Sequence, residues 1–405
     1  MKHTRLSYKC RILLCMLLLC SVLFSGCLPY YIQSTEQTEP KQSREESRPE
    51  YYEKLDEILA ILDEYYVDDY STEELGDYLA SAMIASTGDR WSYYISADEY
   101  DAYAEQNANA YVGIGVTIQI DENDDGRLEI IKVAKNSPAQ EAGLKIGDYV
   151  VAAEGVPVAE IGLEGTKQRV CGEEGTDVTI TIERDGEQFD VTITRHVIET
   201  EIVVYELLES GDGYIKINNF DSNSARDTIA AIDAMLEQGA KSLIFDLRFN
   251  PGGYKHELVK VLDYLLPEGP LFRAVDYQGK EEVDYSEASC IDLPMAVLIN
   301  GDTYSAAEFF AAALQEYEAG VVIGTQTCGK ANYQQTFRLS DGSAIAISTG
   351  HYQTPNGVTL AGVGVTPDVI VEVDDDTYLS LYYEQIAKAD DAQLQAAISA
   401  LEDTE

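Results

Sequence analysis

The sequence predicts a mixed multidomain protein in which helical segments flank a β-rich region and an α/β region. Apolar residues recur at helical spacing near both ends, over residues 51–106 and 375–405. Residues 107–196 hold short segments of alternating polarity, which are typical of half-buried strands. In residues 197–374 strand and helix patterns alternate, which indicates an α/β domain. At about 150 residues per domain, the length of 405 residues allows two or three domains.

The composition is that of a folded and strongly acidic protein. Apolar residues make up 45% of the chain and charged residues 25%, both near globular averages. The 72 acidic residues exceed the 28 basic ones, and the formal net charge is −44. Such a surface repels nucleic acid phosphates and anionic lipid, so nucleic acid is excluded as a partner.

The N-terminus has the pattern of a secretory signal. A basic start is followed by an apolar run of 13 residues from Ile12 to Phe24, which is too short to span a bilayer. The run ends in Ser25-Gly26-Cys27, which resembles the lipobox of bacterial lipoproteins, although Phe24 replaces the usual Leu. The expectation is a lipoprotein signal peptide over residues 1–26, lipidated Cys27, and an extracytoplasmic protein held at the bacterial membrane by its lipid alone. An ordinary signal peptide is the alternative.

Residues 27–50 are rich in Gln, Glu, Ser, Thr and Pro, a composition that cannot bury enough apolar surface to fold, and are predicted to be a disordered tether. Beyond them the chain keeps only Cys171, Cys290 and Cys328. Three cysteines in a large protein form no disulfide framework and give no basis for choosing a pair. No spacing of potential ligands suggests a zinc site.

Helical patterns are predicted at both ends of the folded part. The first helix begins near Tyr51, and a second is predicted over Thr72–Ser86 within the N-terminal helical region 51–106. Near the C-terminus, helices are predicted over Tyr378–Ala387 and Asp391–Leu401, within the segment 375–405.

The β-rich region 107–196 carries two motifs. The first is "GIGV" at Gly113, Ile114, Gly115 and Val116, and the second is "SPAQEAGLKIGD" over residues 137–148. Together with four predicted strands, they resemble a PDZ domain. The resemblance implies a β-barrel-like fold in which the backbone N–H groups of residues 113–116 bind the carboxylate of a protein C-terminus, with the peptide added as a strand.

The region 197–374 alternates five predicted strands with three predicted helices. The strands are Gly213–Ile217, Ser242–Asp246, Met295–Ile299, Val321–Gly324 and Ala344–Ser348, and the helices are Ser224–Gln238, Lys255–Leu266 and Ala306–Tyr317.

Three loops of this region could form a site. "DLRFNPGG" (246–253) ends a strand in a glycine turn whose amides can approach an anion. "NGDTYSAAE" (300–308) places Ser305 at a helix N-terminus, where with Glu308 it also has the pattern of a plain capping box. A polar loop, "GTQTCGKANYQ" (324–334), contains Lys330, and a lone lysine is usually solvated.

The three loops, in this order and with Ser and Lys 25 positions apart, resemble the C-terminal processing peptidases. These are serine peptidases with a Ser–Lys dyad, an inserted PDZ domain and an α/β core of the crotonase/ClpP-like type. The likeness extends from residues 91–100 to "GVGVTPD" (362–368) and "DAQL" (391–394), and so covers nearly all of the mature chain.

The resemblance assigns roles to five residues of this sequence. Ser305 is the nucleophile, Lys330 the general base and Gln334 the residue that orients Lys330. The amides of Gly252 and Ala306 form the oxyanion hole, with Gly253 as the alternative to Gly252. These roles agree with the chemistry of the side chains, because a serine hydroxyl needs a base and a lysine acts as a base only when it is neutral. Surroundings must therefore lower the lysine pKa from about 10.4, which a neutral Gln partner permits and a carboxylate would not.

The sequence departs from the family at four positions. Ala307 stands where Ser is common, Ala331 where Gly is usual, and His351 where a basic residue is frequent. Cys171 replaces a residue that is often basic, which puts in doubt a basic contact from the PDZ domain to the peptidase core.

Two other functions are compatible with parts of the sequence. A Ser-His-Asp hydrolase would need a histidine, and His256 is the nearest candidate, but nothing in the sequence pairs it with Ser305. A catalytically silent, membrane-tethered PDZ adaptor would bind peptides without turnover, and the intact Ser305, Lys330 and Gln334 argue against it.

The sequence therefore predicts a serine endopeptidase that captures protein C-termini through its PDZ domain and needs no metal or nucleotide. The resemblance also implies a homodimer, in which the helices at both chain ends cover their apolar stripes on a second copy. The position of the PDZ domain inside the chain predicts that it gates access to Ser305.

Overall fold

A computed structural model describes residues 50–121, 124–287 and 290–402. The expected signal peptide, Cys27 and nearly all of the tether lie outside these residues. The chain divides into two compact units. Of the described residues, the larger unit contains those in 101–331 and 351–402, and the smaller contains those in 50–100 and 332–350.

The helices and strands follow the chain in this order. Up to residue 108 they are α1 (Glu50–Tyr65), α2 (Thr72–Ala85), β1 (Tyr93–Ile95) and α3 (Ala97–Ala108). Next come β2 (Ala110–Gly113), β3 (Val116–Asp121), β4 (Asp124–Val133), α4 (Pro138–Glu141), β5 (Tyr149–Ala153), β6 (Val156–Pro157), α5 (Val158–Val170), β7 (Asp177–Arg184), β8 (Glu187–Thr194) and β9 (His196–Glu199).

The remaining elements follow residue 202. They are β10 (Val203–Leu207), β11 (Gly213–Ile217), α6 (Ser224–Glu237), β12 (Leu243–Asp246), α7 (Lys255–Leu265), β13 (Gly269–Asp276), β14 (Glu281–Ser286), β15 (Met295–Ile299), α8 (Ala306–Glu316), β16 (Gly320–Gly324), β17 (Asn332–Arg338), β18 (Ala344–Gln353), β19 (Val369–Ile370), α9 (Asp375–Tyr382), a 3₁₀ turn (Lys388–Asp390) and α10 (Ala392–Glu402). The predicted fold class, mixed and multidomain with helical ends, is confirmed.

In the smaller unit, β1 pairs antiparallel with β18, with Tyr93 opposite Ala346 and Ile95 opposite Ala344. Trp91 and Ile95 are buried. Helices α1 and α2 contain no buried residue, and several of their large apolar side chains are exposed, among them Ile58, Ile61 and Met83. Among the described residues, no helix is long and apolar enough to cross a bilayer.

Five antiparallel strands in the order β3-β4-β5-β7-β8 form the sheet of the predicted PDZ region, and β6 pairs with β5. Their alternating apolar side chains build a core with Ile130, Ile180 and Ile182 fully buried. Strand β3 lies at the edge of the sheet, where a peptide strand can be added. A separate ribbon of β2 and β9, here called the stem, runs from Ala110 opposite Glu199 to Gly113 opposite His196.

The central sheet of the larger unit has the order β10-β11-β12-β15-β16-β19. Strand β10 is antiparallel to β11, and the other pairs are parallel. Every residue of β12 and β15 is buried, as expected for strands covered on both faces. Four loops leave the carboxyl ends of β11, β12, β15 and β16, which lie at the same end of the sheet. The carboxyl ends of the strands are where open α/β sheets bind their ligands.

The C-terminal helix belongs to this core. Leu394, Ala397 and Leu401 of α10 are buried in one cluster with Ile244 and Leu298 of the sheet. The expectation that the C-terminal stripe pairs with a second copy is therefore wrong for α10, because its own chain already covers that stripe.

Several elements differ from the sequence prediction. The helix predicted to run to Ala387 ends at Tyr382, and Glu384 has a φ of +54°, which cannot continue a right-handed helix. Helix α5 was not predicted, because Gly162 interrupts it with φ +63° and breaks its hydrophobic period. The polar loop expected to run through Gln334 instead becomes strand β17 at Asn332.

Candidate active site

Ser305 lies in a strained turn between β15 and α8. Its φ of +52° and ψ of −122° place a non-glycine residue in a sparsely populated region, at a cost of about 1–3 kcal/mol. The side chain is 2% exposed. Such a strand-to-helix turn is the arrangement by which α/β hydrolases present a nucleophilic serine.

The glycine turn after β12 packs directly against Ser305. A Cβ on Gly252 would lie 2.8 Å from Ser305 Cβ and 2.9 Å from the Ala306 nitrogen. A Cβ on Gly253 would lie 2.2 Å from the carbonyl carbon of Phe220. Both positions therefore require glycine, and the turn is fixed between the loops that follow β11 and β15.

The amide of Gly252 has a hydrogen-bond acceptor within the turn, which the sequence did not lead us to expect. The Gly252 N–H donates to Asn250 Oδ1 at 2.8 Å, and Asn250 Nδ2 in turn donates to the Ile217 carbonyl at 2.7 Å. The Gly252 amide is therefore engaged in this conformation, and its assignment as an oxyanion donor stays a prediction. Within the described part of the chain, the amides of Gly253 and Ala306 donate to no protein acceptor.

Glu308 joins the serine loop to the lysine loop. Its Oε2 accepts from the N–H groups of Ser305 and Lys330, each at 2.8 Å. Its Oε1 accepts from Thr327 Oγ1 at 2.6 Å and from the Gly329 N–H at 2.7 Å. The predicted capping of the helix start by Glu308 is present. The sequence did not predict its second role, which brings the backbones of Ser305 and Lys330 to one carboxylate.

The Glu308 carboxylate is fully buried. Burial raises its pKa above the usual value, while the four hydrogen bonds that it accepts lower it in part. Every donor that points at it is an N–H or O–H of the two loops, so the group serves as an anionic centre for both.

Lys330 is 3% exposed and follows β16 in the loop that Glu308 holds. Burial raises the pKa of the nearby Asp221 carboxyl well above its usual value and the charge of Lys330 lowers it in part, an interaction that the sequence did not indicate. Gln334 belongs to the smaller unit, where its Nε2 donates to the Asn332 carbonyl at 3.2 Å and to Ser348 Oγ at 3.3 Å. The pairing of Gln334 with Lys330 remains a prediction.

His256, the histidine weighed as a rival base, has other partners. Its Nε2 lies 3.2 Å from Glu257 Oε1, and its ring stacks on Tyr254 with centroids 5.4 Å apart. The imidazole of His256 is therefore engaged by neighbouring residues at the start of α7.

Arg248 connects two motifs that are far apart in the sequence, the one at 246–253 and the one at 391–394. Its guanidinium donates to Asp246 Oδ1 at 2.9 Å, to Asp391 Oδ2 at 2.8 Å and to Gln393 Oε1 at 3.1 Å, and all four side chains are buried. Burial opposes ionisation of Asp246, but Arg248 outweighs it and holds the pKa of that carboxyl below its usual range. The network ties the C-terminal segment to the strand that leads into the glycine turn.

The predicted carboxylate-binding loop connects β2 to β3. The Ile114 carbonyl accepts from the Ala139 N–H at 2.8 Å, and the Gly115 carbonyl accepts from the Ala134 N–H at 2.9 Å. Among the described residues, no protein acceptor is bound by the amides of Ile114 and Gly115. Gly115 has a φ of +85°, and a Cβ there would lie 2.4 Å from Ser137 Cβ, so the loop requires glycine.

Cys171 lies at the end of α5, near Tyr111 of the stem. Burial, and secondarily Glu105, raises the pKa of its thiol, which disfavours the reactive thiolate. Cys171, Cys290 and Cys328 form no disulfide. The described residues contain no cluster of His, Cys, Asp and Glu side chains that could hold a metal ion.

Family models match two parts of the chain. The model of peptidase family S41 matches residues 212–371, and the PDZ domain model matches residues 112–194. The fold and these matches define a serine-type peptidase with a PDZ domain.

Three relatives extend the likeness. A probable CtpA-like serine protease of Staphylococcus saprophyticus is 32% identical over 333 residues, which is 81% of this chain and 66% of the relative. The carboxyl-terminal-processing protease of Synechocystis is 30% identical over 362 residues, covering 88% and 78%. The carboxy-terminal processing protease CtpA of Bacillus subtilis is 30% identical over 335 residues, covering 82% and 71%. The chain belongs to the family of carboxyl-terminal-processing proteases.

We expect Glu308→Gln to disable cleavage. The amide nitrogen of Gln cannot accept from the two N–H groups that one carboxylate oxygen now serves, and each lost bond to the charged group costs about 1.5–3 kcal/mol. Each 1.4 kcal/mol added to the activation free energy lowers the rate about tenfold, so turnover of an unstructured protein should fall by about tenfold or more. Glu316→Gln, at the other end of α8, is the control. Unchanged turnover in Glu308→Gln would contradict the bridging role.

Proposed function

We propose that this protein is a serine endopeptidase in which Ser305 attacks the peptide bond and Lys330 is the general base. The observation that carries the proposal is the Glu308 bridge, which sets a buried serine on a strained turn beside a buried lysine. Because burial disfavours a charged amine, a lysine that is 3% exposed meets the requirement for a neutral base. Gln334 would orient that amine without charging it.

The reaction would proceed in two halves. Lys330 Nζ takes the proton of Ser305 Oγ as the oxygen attacks the peptide carbonyl, which forms a tetrahedral oxyanion. The ammonium then gives that proton to the leaving amine, and the acyl-enzyme remains. Water, deprotonated by Lys330, attacks the ester, and the proton returns to Ser305 as the N-terminal fragment leaves with its new C-terminal carboxylate.

Two amides support the oxyanion. The Ala306 N–H at the start of α8 is one donor, and it also carries the positive end of the helix dipole. For the second donor we now favour Gly253 over Gly252, because the Gly252 amide already donates to Asn250 at 2.8 Å. Each such donor contributes about 3–4 kcal/mol to transition-state stability.

Ser305→Ala and Lys330→Ala should each lower turnover of an unstructured protein by about a thousandfold or more, because either change removes the acyl-transfer chemistry. The variants should unfold at a temperature close to that of the wild type. Chelators should have no effect, and the pH–rate profile should rise as Lys330 loses its proton. Loss of turnover in EDTA, or near-wild-type turnover in Lys330→Ala, would refute the dyad.

The substrate is a protein with an accessible C-terminus. The amides of Ile114 and Gly115 would bind its terminal carboxylate, and the open edge of β3 would pair with its last residues as an added strand. A catalytically silent adaptor would bind the same peptides, and the turnover of the wild-type protein separates the two functions.

We further propose that the PDZ domain gates the peptidase. The residues directly before its stem are tied to the loop after β11: Asn109 Nδ2 donates to Asn219 Oδ1 and to the Ser222 carbonyl, each at 2.9 Å. The Asn107 carbonyl accepts from Ser222 Oγ at 3.0 Å. A displacement of the stem would therefore reach the loop that borders the glycine turn.

A short peptide with an apolar C-terminus, itself not cleaved, should raise the rate at which a separate reporter is hydrolysed. A ligand opens a gate only by binding the open state more tightly, so stimulation should saturate with PDZ occupancy. The same peptide amidated at its C-terminus is the control and should have no effect. A domain that only tethers substrate would give competition or no change.

We propose that a second copy covers the N-terminal helices. Ile58, Ile61 and Tyr65 of α1 are 45%, 59% and 73% exposed. Ile61→Glu should convert a dimer to a monomer in sedimentation, because it places a charge in an apolar contact, while Lys54→Glu on the same helix should not. A monomeric wild-type ectodomain would exclude the dimer.

We infer that Cys27 carries the lipid that anchors the protein outside the cytoplasm. In cells fed an alkyne fatty acid, the wild type should be labelled and Cys27→Ser should not. Cys20→Ser, which removes a cysteine from the expected signal peptide, should be labelled like the wild type. Label on Cys27→Ser would refute the anchor.

A further inference from the structure

A buried carboxyl group beside the proposed active site has no part in the steps above. Asp221 follows β11 and is 4% exposed. Within the described part of the chain, its Oδ1 accepts no hydrogen bond. An unsatisfied buried oxygen costs about 1–3 kcal/mol, so its presence here requires an explanation.

The backbone holds Asp221 against the glycine turn. The Phe220 N–H donates to the Gly252 carbonyl and the Tyr254 N–H donates to the Phe220 carbonyl, each at 2.7 Å. A Cβ on Gly253 would lie 2.6 Å from the Asp221 nitrogen. Asp221 thus directly follows the residue that is hydrogen-bonded to the glycine turn, and this turn packs on Ser305.

Side chains fix the same segment from the other side. The Asp221 N–H donates to Asn219 Oδ1 at 3.0 Å, and Asn219 Nδ2 donates to Asn109 Oδ1 at 2.9 Å. The Asp221 carbonyl accepts from the Ser224 N–H at 3.1 Å. The carboxyl group is therefore held in its buried position by a fixed main chain.

The charged groups around this segment differ in their partners. Glu308 accepts four hydrogen bonds from the serine and lysine loops. Glu257 of α7 accepts from the Ala225 N–H and from Lys260. Among the described residues, Lys330 is the one charged side chain that interacts with Asp221. Burial raises the pKa of Asp221 well above its usual value, and Lys330 lowers it in part.

We propose that the buried Asp221 carboxyl group is a positioning residue that sets the charge state of the general base Lys330. This inference rests on the proposed role of Lys330. While Lys330 is an ammonium beside the Asp221 carboxylate, it cannot accept the proton of Ser305. Rising pH removes the ammonium proton and leaves a neutral amine that can accept it. Because the carboxylate stabilises the ammonium, Asp221 raises the pH at which the base becomes available.

Asp221→Asn tests the proposal, since it keeps the shape of the side chain and removes its anionic form. Without that anion the ammonium of Lys330 loses a stabilising partner. The rising limb of the kcat/KM profile should then move to lower pH by about one unit. Asp227→Asn is the matched control, because this partly exposed carboxylate pairs with Arg226 and the substitution is the same. Its profile should coincide with that of the wild type.

A second readout needs no peptidase activity. Cyanate carbamoylates only neutral amines, so mass spectrometry of Lys330 across pH measures its neutral fraction directly. In the Ser305→Ala background, adding Asp221→Asn should shift that titration in the same direction by the same amount. This arm still reports on the pair if Lys330 proves not to be the base.

Coincident midpoints for the wild type and Asp221→Asn would overturn the proposal, as would a shift to higher pH or an equal shift in Asp227→Asn. Thermal unfolding establishes that each variant is folded. If Asp221→Asn does not fold, Asp221→Ser, which is smaller and still polar, takes its place with the same expected shift.

Discussion

The site depends on one buried carboxylate. Glu308 receives two N–H groups from the lysine loop, one from the serine turn and a hydroxyl from Thr327. Hydrogen bonds to an ionised acceptor in a low-dielectric interior are strong, and losing one leaves an uncompensated group. The strain at Ser305 persists because this carboxylate and the close approach of Gly252 leave the turn no alternative. The loops after β15 and β16 are thus placed by electrostatics, while the sheet beneath them is held by apolar burial.

The sequence predicted most of the architecture and only part of the site. The strands Gly213–Ile217 and Met295–Ile299 were placed at their observed bounds because each is a short, mainly apolar segment between turn residues. Ser305 and Lys330 were assigned through motifs that resemble those of the family, and their catalytic roles stay predictions. The short β13–β14 hairpin and the kinked α5 were missed because neither keeps a regular period.

What the sequence could not predict depends on side-chain contacts between distant segments. The capping pattern of Glu308 with Ser305 was visible, but its contacts with Thr327 and Lys330 require knowing that two loops meet at one sheet edge. Asp221 carried no signal, since an aspartate after a strand is usually a turn residue at the surface. Gly252 satisfied the family motif, and only the Asn250 side chain reveals that its amide is engaged. The prediction from helical periodicity was wrong in one respect, because the apolar face of the C-terminal helix packs in the core of its own chain.

The stem has a further consequence for how the domains are connected. The chain enters the PDZ region at Gly113 and leaves it at His196, and these two residues face each other in an antiparallel pair. Paired residues of this kind have Cα atoms about 4.5–5.5 Å apart, a gap that a two-residue turn can close. The PDZ region is therefore a side branch on a hairpin, and the central sheet has no topological need of it. Recognition of substrate and cleavage chemistry can accordingly diverge at separate rates, because a change in one domain leaves the path of the chain through the other intact.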